Sequence, residues 1–183
     1  MPDAEEALTL ERTLGNRDGE AYALCSRSGA LLGLGRAPEA LAEAGVALAL
    51  ARQLQHREWL AYSHWNVGQA KLAVGDLAGA EGAFAEGLEA ARNMPIFASA
   101  NASGLALSLT HRGELAAARH QLELALAECT PQTIYQGRLA EAELAVASED
   151  ADAGRIIQEA ISRAEEGGHL LSLSRLRELA ARL

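Results

Sequence analysis

Asn66-Val67-Gly68, followed by Gly75-Asp76-Leu77-Ala78-Gly79-Ala80 and then by Phe84 and Leu88, is the stretch on which the fold depends. Gly75 supplies a backbone that turns freely, and the Asp76 carboxylate is placed to accept from the free amides of a helix beginning at Leu77. Apolar residues recur at helical spacing on both sides, which predicts two helices, roughly Leu60 to Val74 and Leu77 to Arg92, joined by a tight turn. Gly68 and Ala80 are small where the two helices must cross, and Phe84 is large where space opens beyond them.

The same device recurs outward along the chain. A shift of 40 pairs Arg12 with Arg52, Leu14 with Leu54, Arg17 with Arg57, Tyr22 with Tyr62, Gly35 with Gly75 and Ala40 with Ala80. A shift of 38 continues the series at Gly113, Ala118, Ala125 and Leu126. A fourth, weaker copy at a shift of 35 places Ser148 at the turn, then Ala153, Ala160 and Ile161. Pro38 suits the first turn of a helix, where no amide donor is needed. Repeats of this length mean stacked hairpins that bury their faces on one another. The predicted fold is all-α, a right-handed α-solenoid of antiparallel helix hairpins.

Residues Asn66-Val67-Gly68, Gly75-Asp76-Leu77, Ala80, Phe84 and Leu88, with Gly19-Glu20-Ala21-Tyr22-Ala23-Leu24 in the first copy, resemble the tetratricopeptide repeat. The similarity is to its longer form of about 40 residues, found in MalT-type bacterial regulators and Pins-type scaffolds. It covers roughly 20–165. Arg27 and Ala44 depart from it, since the family usually has Leu and a large residue there, and the fourth copy lacks the turn glycine. The layout is a single domain over 1–183: a leading helix over 4–15, repeats over 20–54, 60–93, 97–129 and 133–166, and a capping helix over 169–183. Asp3 and Glu6 read as a capping pair for the leading helix, which aligns with the second half of a repeat.

Composition agrees with helices. The chain holds 40 Ala and 30 Leu, strong helix formers, and only 4% aromatic residues. A net charge of −9 opposes nucleic acid and anionic membranes as partners. Cys25 and Cys129 match no metal or redox spacing, and two isolated thiols fit a reducing cytoplasm. Neither a signal peptide nor a spanning segment is expected.

Catalytic chemistry finds little support. His56, His64, His111, His120 and His169 form no metal-spaced pair, although His111 and His120 flank one turn and could approach each other. No nucleophile lies in an elbow or beside an evident base. Gly33-Leu34-Gly35 follows no strand, so it is a turn and not a dinucleotide fingerprint. The chain is expected to be no enzyme and to need no metal or cofactor.

Binding is better supported. The family resemblance implies that first helices line a concave groove that receives peptides. Residues three and four apart on those helices share a face. They are Tyr22, Cys25, Gly29 and Leu32 in the first copy; Tyr62, Trp65, Gln69 and Leu72 in the second; Ala100, Ser103 and Leu107 in the third; Tyr135, Arg138 and Ala142 in the fourth. Tyr22, Tyr62, Trp65 and Tyr135 are candidate contacts because Tyr and Trp offer large area with a polar tip. The alternative is that they pack between repeats. Trp59 reads as a staple in the linker before the second copy.

Asn66 and Arg138 are the evident donors, too few for the family members that clamp a terminal carboxylate. The expected partner is therefore an apolar or helical peptide, or a protein domain. The resemblance implies signalling or transcription regulation, either as an interaction scaffold or as a ligand- or peptide-sensing domain of a larger regulator. Leu173, Leu176, Leu179 and Leu183, broadened by Leu170 and Leu171, predict an apolar flank that could support self-association.

Overall fold

The computed structural model describes residues 2–183, the side chains of residues 2, 3, 170 and 171 excepted. Ten helices follow one another among the described residues: α1 (Pro2–Leu14), α2 (Arg17–Gly33), α3 (Ala37–Leu54), α4 (Arg57–Ala73), α5 (Leu77–Ala90), α6 (Pro95–His111), α7 (Leu115–Ala127), α8 (Ile134–Ala147), α9 (Ala153–Glu166) and α10 (Leu170–Ala180). They pack as sequential antiparallel hairpins, as the repeat pattern predicts. The Asp3 cap and the contribution of Leu170 and Leu171 fall outside the described side chains.

The turns are made by the residues that the pattern singles out. Gly35, Gly75 and Gly113 each follow a first helix at positive φ (72°, 83° and 79°), where a side chain would be strained. The Asp76 carboxylate accepts from the Gly79 amide at 2.9 Å, which caps α5. In the fourth hairpin the positive φ (53°) falls on Glu149, one residue after the expected Ser148. The repeat shift is therefore 36 through α8, whereas Ala153, Ile157 and Ala160 of α9 bury at positions 35 after Ala118, Leu122 and Ala125. One residue is lost in the turn between them. That loss changes which α8 residues face the groove.

The first helices form an inner layer, with α2 against α4, α4 against α6, α6 against α8 and α8 against α10. The second helices show no comparable series of contacts, so the stack curves with the first helices inside. On the outer side an open depression of about 680 Å³ separates α5 from α7, with Leu88 and Leu124 on its walls and Ala98, Ala102 and Leu105 of α6 at its floor.

Packing follows the small-and-large alternation. Phe84 of α5 is fully buried, and a Cβ on Gly68 of α4 or Gly104 of α6 would lie 2.5 Å or 2.3 Å from its ring. Ala44, where the family usually has a large residue, is itself fully buried, and Arg27 pairs with Glu43 at 2.5 Å. Ala80 has no exposed surface, whereas Ala85, farther along α5, is exposed. Ala80→Leu is therefore expected to destabilise by about 1–3 kcal/mol through overpacking, and Ala85→Leu to stay within about 0.5 kcal/mol. Urea denaturation of the two variants checks this; equal effects would refute the assigned packing of α5.

The C-terminal leucines do not present the expected open flank. Leu173, Leu176 and Leu179 are buried against Ala142 of α8 and Ile157, Ala160 and Ala164 of α9. Leu183 alone of the four is exposed. Their apolar surface is used inside the stack, which removes the reason for self-association through them.

Candidate functional site

The N-terminal turns of the first helices create a groove of about 440 Å³. Its lining comes from equivalent positions of successive repeats. Tyr22, Tyr62, Ala100 and Gln136 share one register, Trp59, Phe97 and Thr133 a second, and Glu58, Ile96 and Gln132 a third. Trp65, one turn farther along α4, completes it.

The aromatic rings form a continuous cluster centred on Tyr62. Its ring lies 6.3 Å from Tyr22, 6.0 Å from Trp65 and 5.9 Å from Phe97, and Trp59 sits 5.9 Å from Tyr22. These are favourable separations for offset or tilted rings. Phe84 and Tyr135 are the only aromatic residues elsewhere.

Hydrogen bonds between repeats hold the cluster in place. The Trp59 indole N–H donates to Asp18 Oδ1 of α2 at 3.0 Å, and His56 both caps α4 and stacks on Trp59. Asn101 Nδ2 donates to the carbonyl of Ala61 on α4 at 3.2 Å and to that of Phe97 at 2.9 Å, which sets the spacing of α6 from α4. Burial pushes the Tyr62 hydroxyl up to about 12, reinforced by Cys25 and Tyr22 and opposed by Ser26 and Asn66 beside it. The phenol stays neutral at physiological pH. The Trp65 indole nitrogen and the Gln136 amide oxygen are buried without hydrogen-bond partners.

Several residues expected in the groove are placed elsewhere. Tyr22, Tyr62 and Trp65 line it, but Tyr62 and Trp65 also pack against the core, so groove and packing roles coexist. Asn66 is fully buried, with its Nδ2 donating to the Tyr62 carbonyl. Cys25 is buried against Ser63 at 3.4 Å, and burial drives its thiol up to about 11 despite that hydrogen bond. Leu32 and Leu72 pack into core clusters, and Gln69 is half-buried outside the groove lining. Ala100 lines the groove, whereas Ser103 and Leu107 are buried inside the stack.

The displaced turn of the fourth repeat accounts for Tyr135. With the shift at 36, Gln136 occupies the register of Tyr22 and Tyr62, and Tyr135 turns to the other side to stack on His169 at 4.8 Å. Tyr135 and Arg138 line a separate depression with Cys129, Arg163 and Glu166, and Arg138 pairs with Glu141 at 2.6 Å.

Helical arithmetic missed the aromatic residues Trp59 and Phe97, and with them Glu58, Ile96, Gln132, Thr133 and Gln136. The structure starts α4 at Arg57, nearly a turn before the expected Leu60, so Trp59 belongs to the helix and not to a linker. The recurrence of Trp59 and Phe97 at a shift of 38 is the signal that identifies both.

His111 does not meet His120; its Nε2 donates to Glu143 Oε2 at 3.4 Å, and His120 is exposed. Among the described residues no group of three His, Cys, Asp or Glu side chains is arranged to hold a metal. No described helix is long and apolar enough to cross a membrane.

No protein-family model and no curated protein matches the chain. A solved structure of a Rap protein complexed with competence and sporulation factor is similar to it in fold, with a TM-score of 0.69 at 19% identity. The match covers 98% of this chain and 56% of the Rap chain, so the chain spans little more than half that protein's length. The likeness establishes the fold: an all-α stack of sequential antiparallel hairpins.

Proposed function

We propose that this chain is a non-enzymatic binding module of the tetratricopeptide type that takes a peptide, or a helix of a partner protein, in its aromatic groove. The observation that carries the reading is the gathering of Tyr22, Trp59, Tyr62, Trp65 and Phe97 on one open surface in a chain with few aromatic residues. Packing alone does not require it, because Tyr22 remains 54% exposed. The fold is shared with a Rap protein that was solved in complex with a factor, which agrees with a role in binding. The resemblance to MalT-type and Pins-type repeats favours a place in bacterial signalling or transcription regulation.

Tyr22 is the residue that separates binding from packing. Tyr22→Ala is expected to weaken the affinity of a partner recovered on the immobilised chain by at least about 1 kcal/mol, with little change in melting temperature. Titration calorimetry and thermal denaturation read the two effects. Unchanged affinity would remove the groove from the binding reaction. Tyr62→Ala is a poorer probe, because Tyr62 also packs on the α2–α3 core.

A further inference from the structure

The charge around the groove narrows what it receives. No Lys or Arg lines it. Arg57 and Arg17, which adjoin Glu58 and Asp18 in the sequence, are engaged elsewhere: Arg57 donates to the Ala90 and Arg92 carbonyls, and Arg17 lies against Gln53 and Glu20. Glu58 is exposed at the groove, and no cation pairs with it among the described residues. Asp18, held by the Trp59 indole, adds a second carboxylate beside the rings. Aromatic faces attract cations, and a carboxylate at their edge strengthens that attraction.

We propose that the occupant of the groove is a peptide segment bearing an arginine, whose guanidinium lies against the Tyr22 and Trp59 rings and pairs with Glu58. The inference rests on the groove being the binding surface and adds the chemistry of the ligand. Arginine suits the site better than lysine because its planar fork stacks on a ring and bonds a carboxylate through two donors at once. A peptide suits the site better than a small free cation. The groove is open, runs across α2, α4, α6 and the start of α8, and carries Gln132 and Gln136 opposite the acidic edge. A net charge of −9 would draw a basic segment toward it from solution.

The two tryptophans of the chain, Trp59 and Trp65, both line the groove, so their fluorescence reports its occupancy. The probe is a library of capped pentapeptides in which one position at a time is fixed as Arg, Lys, citrulline, Glu or Leu, titrated against the intact chain. The Arg-fixed pool at its best position is expected to bind at least about fivefold more tightly than the citrulline-fixed pool. That advantage should shrink with added salt and disappear in Glu58→Gln, an exposed substitution that leaves the fold unchanged. Equal binding of the Arg and citrulline pools, or preference for the Glu pool, would overturn the cationic ligand and leave groove binding standing if Tyr22→Ala still weakened it. Tetramethylammonium matching the Arg pool at equal concentration would replace the peptide with a small cation. Absence of any fluorescence response to every pool would overturn both the ligand class and the groove.

Discussion

Phe84→Ala is expected to lower the unfolding free energy by about 3–5 kcal/mol, the cost of removing a large ring from a site that cannot collapse around the void. Phe84 has no exposed surface, and its ring is wedged between two glycines on different helices, Gly68 on α4 and Gly104 on α6. The wedge also makes the reverse experiment informative. In an open helix, Gly→Ala would gain roughly 0.5–1 kcal/mol from backbone entropy. At Gly104 the new methyl would meet the ring at 2.3 Å, on the same ring atoms that lie close to Gly68, and the fully buried ring has little room to retreat. Overpacking of about 1–3 kcal/mol or more should win, so Gly104→Ala should destabilise. Phe84→Leu in the Gly104→Ala background should recover part of the loss. Denaturation of the single and double variants checks the pair; independent, additive effects would show that the ring and the glycine are not in contact.

The α4 side of this wedge was legible in the sequence, because Gly68, Gly75, Ala80 and Phe84 sit at offsets that fix the crossing of α4 and α5, whereas Gly104 on α6 was not singled out. The first three turns were legible for the same reason, since glycine marks positive φ. The fourth was not. Glu149 carries the left-handed backbone there without a glycine, and a residue lost after it puts α8 and α9 on different repeat shifts. Tyr135 therefore looked equivalent to Tyr62 when Gln136 is its counterpart. Helical spacing assigns a face, but it does not say which neighbour covers that face. Asn66 and Cys25 lie on inner helices and are nonetheless sealed by the next hairpin. α6 is the extreme case: every residue from Ser99 to Thr110 is buried, several of them polar, because α4, α5, α7 and α8 surround it. Such a helix has no polar face, so no periodicity reveals its partners.

Arg175→Ala is expected to cost about 3 kcal/mol near neutral pH, and the cost should vanish in acid. Glu143 of α8 is 8% exposed and is held by two cationic or polar partners from other helices. Arg175 Nε of α10 donates to Oε1 at 2.5 Å, and His111 Nε2 of α6 donates to Oε2 at 3.4 Å. Burial pushes the Glu143 carboxyl up, but these two hydrogen bonds and the Arg175 charge outweigh it and hold the group below its ordinary value. A carboxyl lowered by folding contributes stability that is complete above the ordinary carboxylate range. That contribution is lost as pH falls through the lowered value, once the group takes up its proton. Removing Arg175 strands a buried charge, which is far more costly than never having placed one there. The cost lies at the lower end for buried pairs because the Arg175 side chain is 35% exposed and partly screened. Protonated Glu143 needs no arginine, so the stability curves of the native chain and the variant should converge as the solution is acidified. Arg175→Met with Glu143→Met should recover most of the neutral-pH loss, since neither a charge nor an unpaired partner is left behind. Urea denaturation across a pH series measures the gap. A gap that stays constant down to acid pH would assign the cost to lost packing of the arginine stem, not to the ion pair that ties α10 to α8.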